Sequence, residues 1–388
     1  MNAFVATPDR SGKYIRQING YNAFRPNPLP PHPPIVLDEE SIVLLAEAHQ
    51  SLGRLDGLAG IIPDPDIFIY AFVRKEALLS SQIEGTQCSL EDVLSDEPPE
   101  KDRVDDVEEV SNYVASMKLG LERLVEIPIS SRLIKEIHAR LMNGVRGANK
   151  IPGEYRTTQN WLGRLGATLE TADFIPPPPH EVENCMGELE KFIHYEKNLP
   201  LLVKAALIHS QFETIHPFLD GNGRVGRLLI TLLLCDWNLL KKPLLYLSYF
   251  LKANRTEYYN RLNRIRTHGD YENWIKFFLR GIIETSESAV ITAQNIVKLH
   301  SSDRMKINDS KPSPIMNQIF DKICRMPIQS VPSLSKSLNT TIPTIQRSIN
   351  KMVKLGIIKE ITGQARYRRF AYVKYLKLLV EGTSQKPG

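Results

Sequence analysis

Cysteine is scarce, four in 388 residues. Cys88, Cys185, Cys235 and Cys324 lie far apart, with no CxxC pair. That spacing argues against a disulfide framework and a zinc site, and it fits a reducing cytoplasm. No apolar run reaches the length of a membrane span, so no membrane partner is expected. Met1 to Arg10 lacks the basic-then-apolar pattern of a secretion signal. No internal repeat is visible. Acidic residues are also unevenly spread. Residues 301–388 hold 16 Lys and Arg against 5 Asp and Glu, a net of +11 (16 − 5). The first 300 residues hold 33 and 39, a net of −6 (33 − 39). A basic C-terminal segment on a mildly acidic body points to an anionic partner for that segment.

What is present reads as a soluble, mainly α chain of two or three domains. Residues 1–34 lack helical periodicity and end in a proline cluster, Pro26 to Pro34, so an extended arm is expected there. Tyr14, Ile15, Ile18, Tyr21 and Phe24 are its candidate anchors. Helical patterns follow at 38–58, ended by Pro63 and Pro65, and at 68–84, with Gly85 in the C′ position. Asp96 to Asp106 reads as an acidic linker. Further helices are expected at 107–124, 130–142 (Ser130 as N-cap), 182–195, 200–214, 223–237, 256–267 and 271–299. Between them, residues 155–179 change character and predict a small β-hairpin. The segment 301–313 reads as a polar linker.

The densest chemistry lies in His216-Pro217-Phe218-Leu219-Asp220-Gly221-Asn222-Gly223-Arg224-Val225-Gly226-Arg227. Glycines there let the backbone approach a ligand or take positive φ. A helix opening near Gly223 presents free N–H groups and a positive dipole end, which is an anion site. Arg224 and Arg227, three apart, share one face of that helix. His216 is held off helical geometry by Pro217 and is a candidate general base. Asp220 suits a hard cation such as Mg²⁺, which takes one or two carboxylates plus phosphate oxygens. The residues themselves do not choose between attack on an α- and a γ-phosphate.

This stretch resembles the full signature of the Fic family, which has the Fido fold. The resemblance covers roughly residues 10–285. Ser80-Ser81-Gln82-Ile83-Glu84-Gly85 is similar to the family's inhibitory helix, in the class that carries it upstream in the same chain. The 155–179 segment resembles the flap that docks a target as an added strand. The resemblance implies transfer of AMP from ATP to a Ser, Thr or Tyr hydroxyl of a protein. It implies His216 as base, Asp220 as Mg²⁺ ligand, and Gly221 to Arg227 as the ATP phosphate site, with Arg227 on the γ-phosphate. It further implies that Glu84, beside Ser80, pairs with Arg227 and blocks productive phosphate placement. Asn254 and Tyr258 are candidate adenine contacts, and Trp161, Leu162 and Ile175 candidate flap residues. Self-modification and a homodimer are expected by the same resemblance; the target protein is unknown. Two other readings stay open: a DNA-binding regulator whose site senses nucleotide without turnover, and an enzyme that removes AMP or transfers another phosphate-containing group.

Helices at 315–326, 333–338 and 343–355, then strands at 357–361 and 366–373, predict a winged helix-turn-helix at 312–380. Its third helix carries an apolar stripe of Ile345, Ile349, Met352 and Val353. Thr344, Arg347, Asn350, Lys351 and Lys354 lie off that stripe, and Arg366, Arg368 and Arg369 fall in the wing. Such modules serve DNA or protein partners, and both remain open here. The expected divisions are thus an arm and helical region at 1–106, a catalytic core at 107–300 and the winged helix at 312–380.

Overall fold

The computed structural model describes residues 8–60, 65–96, 103–147, 149–164, 166–364, 367–381 and 383. After a short hairpin of β1 (Gly12–Arg16) and β2 (Asn22–Pro26), the body is built from α1 (Glu39–Ala59), α2 (Pro65–Ile83), α3 (Leu90–Val93), α4 (Val104–Arg123), α5 (Ser131–Leu141), α6 (Pro179–Tyr195), α7 (Leu201–Ile215), α8 (Asn222–Asp236), α9 (Ser248–Ala253), α10 (Arg255–His268) and α11 (Tyr271–Asp309). Side chains that compete for backbone N–H groups set several starts. Asp38 accepts from the Ser41 amide at α1, and Ser130 accepts from the Leu133 amide at α5.

α7 and α8 form the centre. Residues Leu202 to Ile215 and Asn222 to Leu234 are all buried, including polar members such as Lys204, His209, Glu213 and Arg227. α8 packs on α7, α2, α4 and α5, while α7 also meets α6, α10 and α11. Gly120 lets α4 come close to α8, because a Cβ there would sit 2.8 Å from Leu232 Cδ1. The turn between the two central helices is the 216–222 stretch, so the candidate site hangs from a buried helix pair.

The extended arm takes a definite form. β1 and β2 pair antiparallel, Tyr14 opposite Phe24, and the Phe24 amide donates to the Ile175 carbonyl at 2.9 Å. Phe24 is buried as an anchor, whereas Ile18 is fully exposed at the hairpin tip. The hairpin expected at 155–179 shrinks to one antiparallel bridge, Leu162 with Phe174. The polar linker expected at 301–313 is a correction: α11 runs on to Asp309. Polar composition concealed that Asp303 and Ile307 are buried on one face, with Tyr372 donating to Asp303 Oδ2 at 2.8 Å.

Beyond α11 come α12 (Pro314–Arg325), β3 (Ile328–Ser330), α13 (Val331–Ser337), α14 (Ile342–Lys354), β4 (Lys359–Glu360), β5 (Arg369–Ala371) and α15 (Val373–Val380). The antiparallel sheet has the order β3-β5-β4. Ile345, Ile349 and Met352 are buried as expected, but Val353 faces out. Lys351 is committed to the carbonyls of Ser310 and Lys311, closing the end of α11. Arg366 lies outside the described residues. This module docks on the body through β3: the Ile328 amide donates to Leu94 O at 3.4 Å, and the Asp96 amide donates to Ile328 O at 3.3 Å. Asp96 also accepts from the Ser330 amide at 3.0 Å. No cysteine forms a disulfide. Among the described residues, no helix is long and apolar enough to cross a membrane.

Candidate active site

His216 ends α7 in the left-handed region, φ 50° and ψ 60°, and its amide donates to Phe212 O at 2.9 Å. A non-glycine residue there is held by its surroundings. The restraint comes from residues 156–160. Arg156 donates from Nε to His216 O at 2.9 Å and from Nη2 to Pro177 O at 2.6 Å. Asn160 Nδ2 donates to Phe218 O at 2.9 Å. The first part of the expected flap is therefore a clamp on the His216 loop. His138 stacks on Phe218, ring centroids 3.7 Å apart. It accepts the Gly153 amide at Nδ1 and meets Asp220 O at Nε2, so the proton sits on Nε2. Burial pushes His138 down to about 4. Burial also pushes His216 down to about 3, with the Arg266 and Arg156 charges adding to the shift. The His216 side chain keeps 15% exposure. A neutral, partly accessible imidazole can take a proton at neutral pH.

Gly221 precedes α8 with φ 76°. Asn222 ties the loop back on itself: Oδ1 accepts from the Phe218 amide and Nδ2 donates to Phe218 O, each at 2.8 Å. The amides of Asn222, Gly223 and Arg224 open the helix and have no intrahelical acceptor. Two of the expected phosphate residues play other parts. Val225 is buried in the core and its amide donates to Gly221 O at 3.0 Å. Gly226 makes room for a carboxylate, since a Cβ there would lie 2.7 Å from Glu213 Oε1.

Arg224 is buried, and its Nε and Nη1 have no hydrogen-bond partner. Its charged neighbours stay at a distance, Glu109 at 3.6 Å and Asp220 at 3.7 Å. Buried donors without acceptors cost about 1–3 kcal/mol each, so the site has unmet capacity for an anion. Asp220 accepts from the Gly221 amide at 2.7 Å and from Lys150 Nζ at 3.0 Å. Burial pushes its carboxyl up, but Lys150 and Arg224 outweigh that and the net shift is down. The described residues hold no cluster of three or more His, Cys, Asp or Glu able to bind a metal. A cation at Asp220 would therefore complete its shell with phosphate oxygens and water.

Arg227 is 1% exposed and is shared between two residues of the α2 segment. Nε donates to Ser80 Oγ at 2.9 Å and Nη2 to Ser80 O at 2.9 Å. Nη2 also reaches Glu84 Oε1 at 2.7 Å. Burial alone would weaken the guanidinium's charge, but the Glu84 carboxylate reverses this and raises its pKa. Gly223 accommodates the pair: a Cβ there would fall 2.2 Å from Glu84 Oε1.

The remaining candidates are not brought into this cradle as open groups. Asn254 Nδ2 donates to Phe250 O, and Tyr258 is a core residue whose hydroxyl meets His209 Nε2 at 2.9 Å. Trp161 is 40% exposed, with Nε1 donating to Ala167 O. Leu162 bridges to Phe174, and Ile175 is buried with its carbonyl taken by Phe24. Sequence reasoning missed Arg156, His138, Arg266 and Glu213. Only Glu213 left a trace, as an acidic residue in the apolar run 201–215, one turn before His216.

Residues 42–122 match the family model described as Fic/DOC family N-terminal, and residues 128–234 match Fic/DOC family. Residues 128–234 are thus similar to a Fic/DOC domain. His216 to Arg227 fall inside that stretch, while Ser80 and Glu84 fall in the N-terminal match. A "Probable protein adenylyltransferase" of Aquifex aeolicus is 29% identical over 175 residues, 45% of this chain and 51% of that protein. The "Protein adenylyltransferase Fic" of Drosophila erecta is 30% identical over 177 residues, 45% of this chain and 32% of that protein. The chain thus spans about half, or less, of the length of the curated relatives it matches. A Fic family protein from Desulfovibrio desulfuricans superposes with TM-score 0.58 at 22% identity, covering 87% of this chain and 97% of that one. A Fic domain containing signaling protein from Bacteroides thetaiotaomicron gives 0.51 at 19%, covering 66% and 97%. These two show the shared fold of the Fic/DOC body.

Proposed function

We propose that the chain is an ATP-dependent protein adenylyltransferase restrained by its own Glu84. The observation that carries this reading is the unmet hydrogen-bonding capacity of Arg224 and the first α8 amides, gathered beside a neutral imidazole and one carboxylate. Acyl or glycosyl chemistry would leave the two arginines and the helix N-terminus without a task; a polyphosphate uses all of them. The adenylyltransferase names of the relatives select the α-phosphate, a choice that the residues leave open.

In the reaction, a target hydroxyl oxygen attacks the α-phosphorus while its proton passes to His216 Nε2. The bond from that phosphorus to the β-phosphate bridging oxygen breaks and pyrophosphate leaves. Asp220 would hold Mg²⁺, which neutralises phosphate charge. Arg227 would secure the γ-phosphate once Glu84 lets go. The test uses α-labelled ATP. Glu84→Gly should raise AMP incorporation, into the chain itself or a lysate protein, by about tenfold or more, the scale of one lost charge-assisted contact. His216→Ala should remove it, since a general base contributes roughly 10²–10⁴-fold. Label from γ-labelled ATP, or equal labelling by wild type and Glu84→Gly, would overturn the reading. Loss of label from AMP-modified protein would instead favour AMP removal.

For residues 312–380 a winged helix contacting duplex DNA is the proposed role. Arg347, Lys354 and Arg368 stand exposed on α14 and the wing. Lys351 leaves the expected set because it closes α11. Such contacts to phosphate predict binding that weakens with salt. A gel shift across a salt series checks this, and no shift at low salt would point to a protein partner, including a second copy.

A further inference from the structure

Glu213 has no part in the cradle, yet its carboxyl is buried with one oxygen unpartnered. Its side chain is 8% exposed and Oε1 has no hydrogen-bond partner. A buried carboxyl without a donor is costly, and one that persists in a site merits a functional account. His216 Nδ1 is likewise buried and makes no hydrogen bond of normal geometry, though the Glu213 backbone also lies close enough to favour the protonated ring. The two groups face each other: Nδ1 lies 3.9 Å from Glu213 Oε2. The residue spacing of three puts them one helical turn apart. Gly226 on the next helix preserves the space, since any side chain there would strike Glu213 Oε1. Arg266 fixes the backbone of the pair from α10, donating from Nη2 to Glu213 O at 3.0 Å and from Nε to Thr214 Oγ1 at 3.3 Å.

We propose that Glu213 is a positioning residue for His216. Its carboxylate receives the Nδ1–H of the imidazole, keeps the lone pair on Nε2 toward the target hydroxyl, and steadies the imidazolium once that proton has arrived. The inference rests on the reading of His216 as general base. Closing the gap from 3.9 Å to hydrogen-bond length takes about 1 Å of side-chain movement, and catalytic hydrogen bonds commonly tighten when substrate binds.

The arrangement has a pH signature. Burial pushes Glu213 up to about 7. Around it stand Arg227 on α8, Arg266 and Tyr258 on α10, Glu84 at the end of α2, and His209 and His216 on α7 itself. Arg227 and Arg266 pull the carboxyl down, and Glu84 pushes it up. His216 and His209 are each pushed down to about 3 and stay neutral near pH 7. A rise in rate through neutrality that depends on residue 213 is the expected mark of its ionisation.

The experiment uses the full chain with Glu84→Gly, alone and combined with Glu213→Gln or Glu213→Asp. AMP transfer should climb with pH to a plateau, on a limb moved to lower pH because Glu84 no longer pushes Glu213 up, and Glu213→Gln should flatten that limb and lower the plateau by about tenfold. Glu213→Asp should keep part of the limb. In parallel, ¹⁵N-histidine spectra of the unliganded protein should show a His216 Nδ1 response near pH 7 that Glu213→Gln removes. A limb and a Nδ1 response that both survive Glu213→Gln would overturn the proposal. The spectra also separate the two readings. If Glu84→Gly transfers no AMP while the Nδ1 response disappears in Glu213→Gln, the Glu213–His216 contact stands and the adenylyltransferase reading falls.

Discussion

Gly223 shows how tightly one residue can be specified. It sits in the first turn of α8, where its amide faces the anion site, and the Glu84 carboxylate lies against its α-carbon. Gly223→Ala would place a methyl 2.2 Å from Glu84 Oε1 and 2.9 Å from Arg227 Nη1. Glu84 ends a flexible, 37% exposed side chain and can retreat; the buried Arg227 cannot. Gly223→Ala is thus expected to break the ion pair and still fail to gain activity, because the methyl occupies phosphate space. Calorimetric ATP binding should be weakened at least tenfold in the Glu84→Gly, Gly223→Ala double variant relative to Glu84→Gly, on the order of 1.4 kcal/mol. Equal affinity would show that the cradle lies elsewhere.

Among elements, α11 carries the clearest contrast between expectation and structure. A linker at 301–313 would accept proline freely, whereas a helix interior loses a hydrogen bond and gains a clash worth about 3 kcal/mol. Ser302 is exposed and touches no core, so Ser302→Pro isolates that term. The expected outcome is a drop of about 3 kcal/mol in urea unfolding; a change within about 0.5 kcal/mol would restore the linker. Sequence legibility followed the range of the determinant. The Ser130 cap, the apolar helical runs of α7 and α8, and the spacing of Ser80 and Glu84 before Gly85 are local signals and could be read directly. The tail of α11 was not legible because the groups that bury Asp303 and close its end, Tyr372 and Lys351, come later in the chain. Glu213 left only its acidic character as a trace, because the groups that surround it, on α8 and α10, lie outside any window around it. Tyr258 misled in the opposite direction, since an aromatic near a nucleotide motif and an aromatic in a core look alike until His209 is seen to hold its hydroxyl.

For the whole molecule, buried imidazoles set the response to acid. Burial pushes His138 and His300 down to about 4, and His209 and His216 to about 3. An unfolded chain protonates each near 6.5, so it takes up protons that the native state refuses. Stability therefore falls as pH drops below about 6.5. Glu213 acts in the other direction, because its folded carboxyl keeps a proton up to about 7 and its contribution is lost as pH rises through that value. Burial pushes Glu76 and Asp236 the same way as Glu213, but Asp92, Asp220 and Asp270, held down by their partners despite burial, side with the four imidazoles. Tm should decline from about pH 6.5 to pH 4. A flat Tm across that interval would show that these rings reach solvent.

Lys351 closing α11 has a mechanical consequence. The helix begins at Tyr271, in the aromatic core behind α7, and ends under a lysine of the basic module. A 39-residue helix spans nearly 60 Å at 1.5 Å per residue, with no hinge between. At its far end β3 grips residues 94–96, which follow the segment bearing Glu84. The basic module is therefore joined to the body at two points, one leading along α11 to the helix behind His216 and one leading through α3 and residues 84–89 to the Glu84 that meets Arg227.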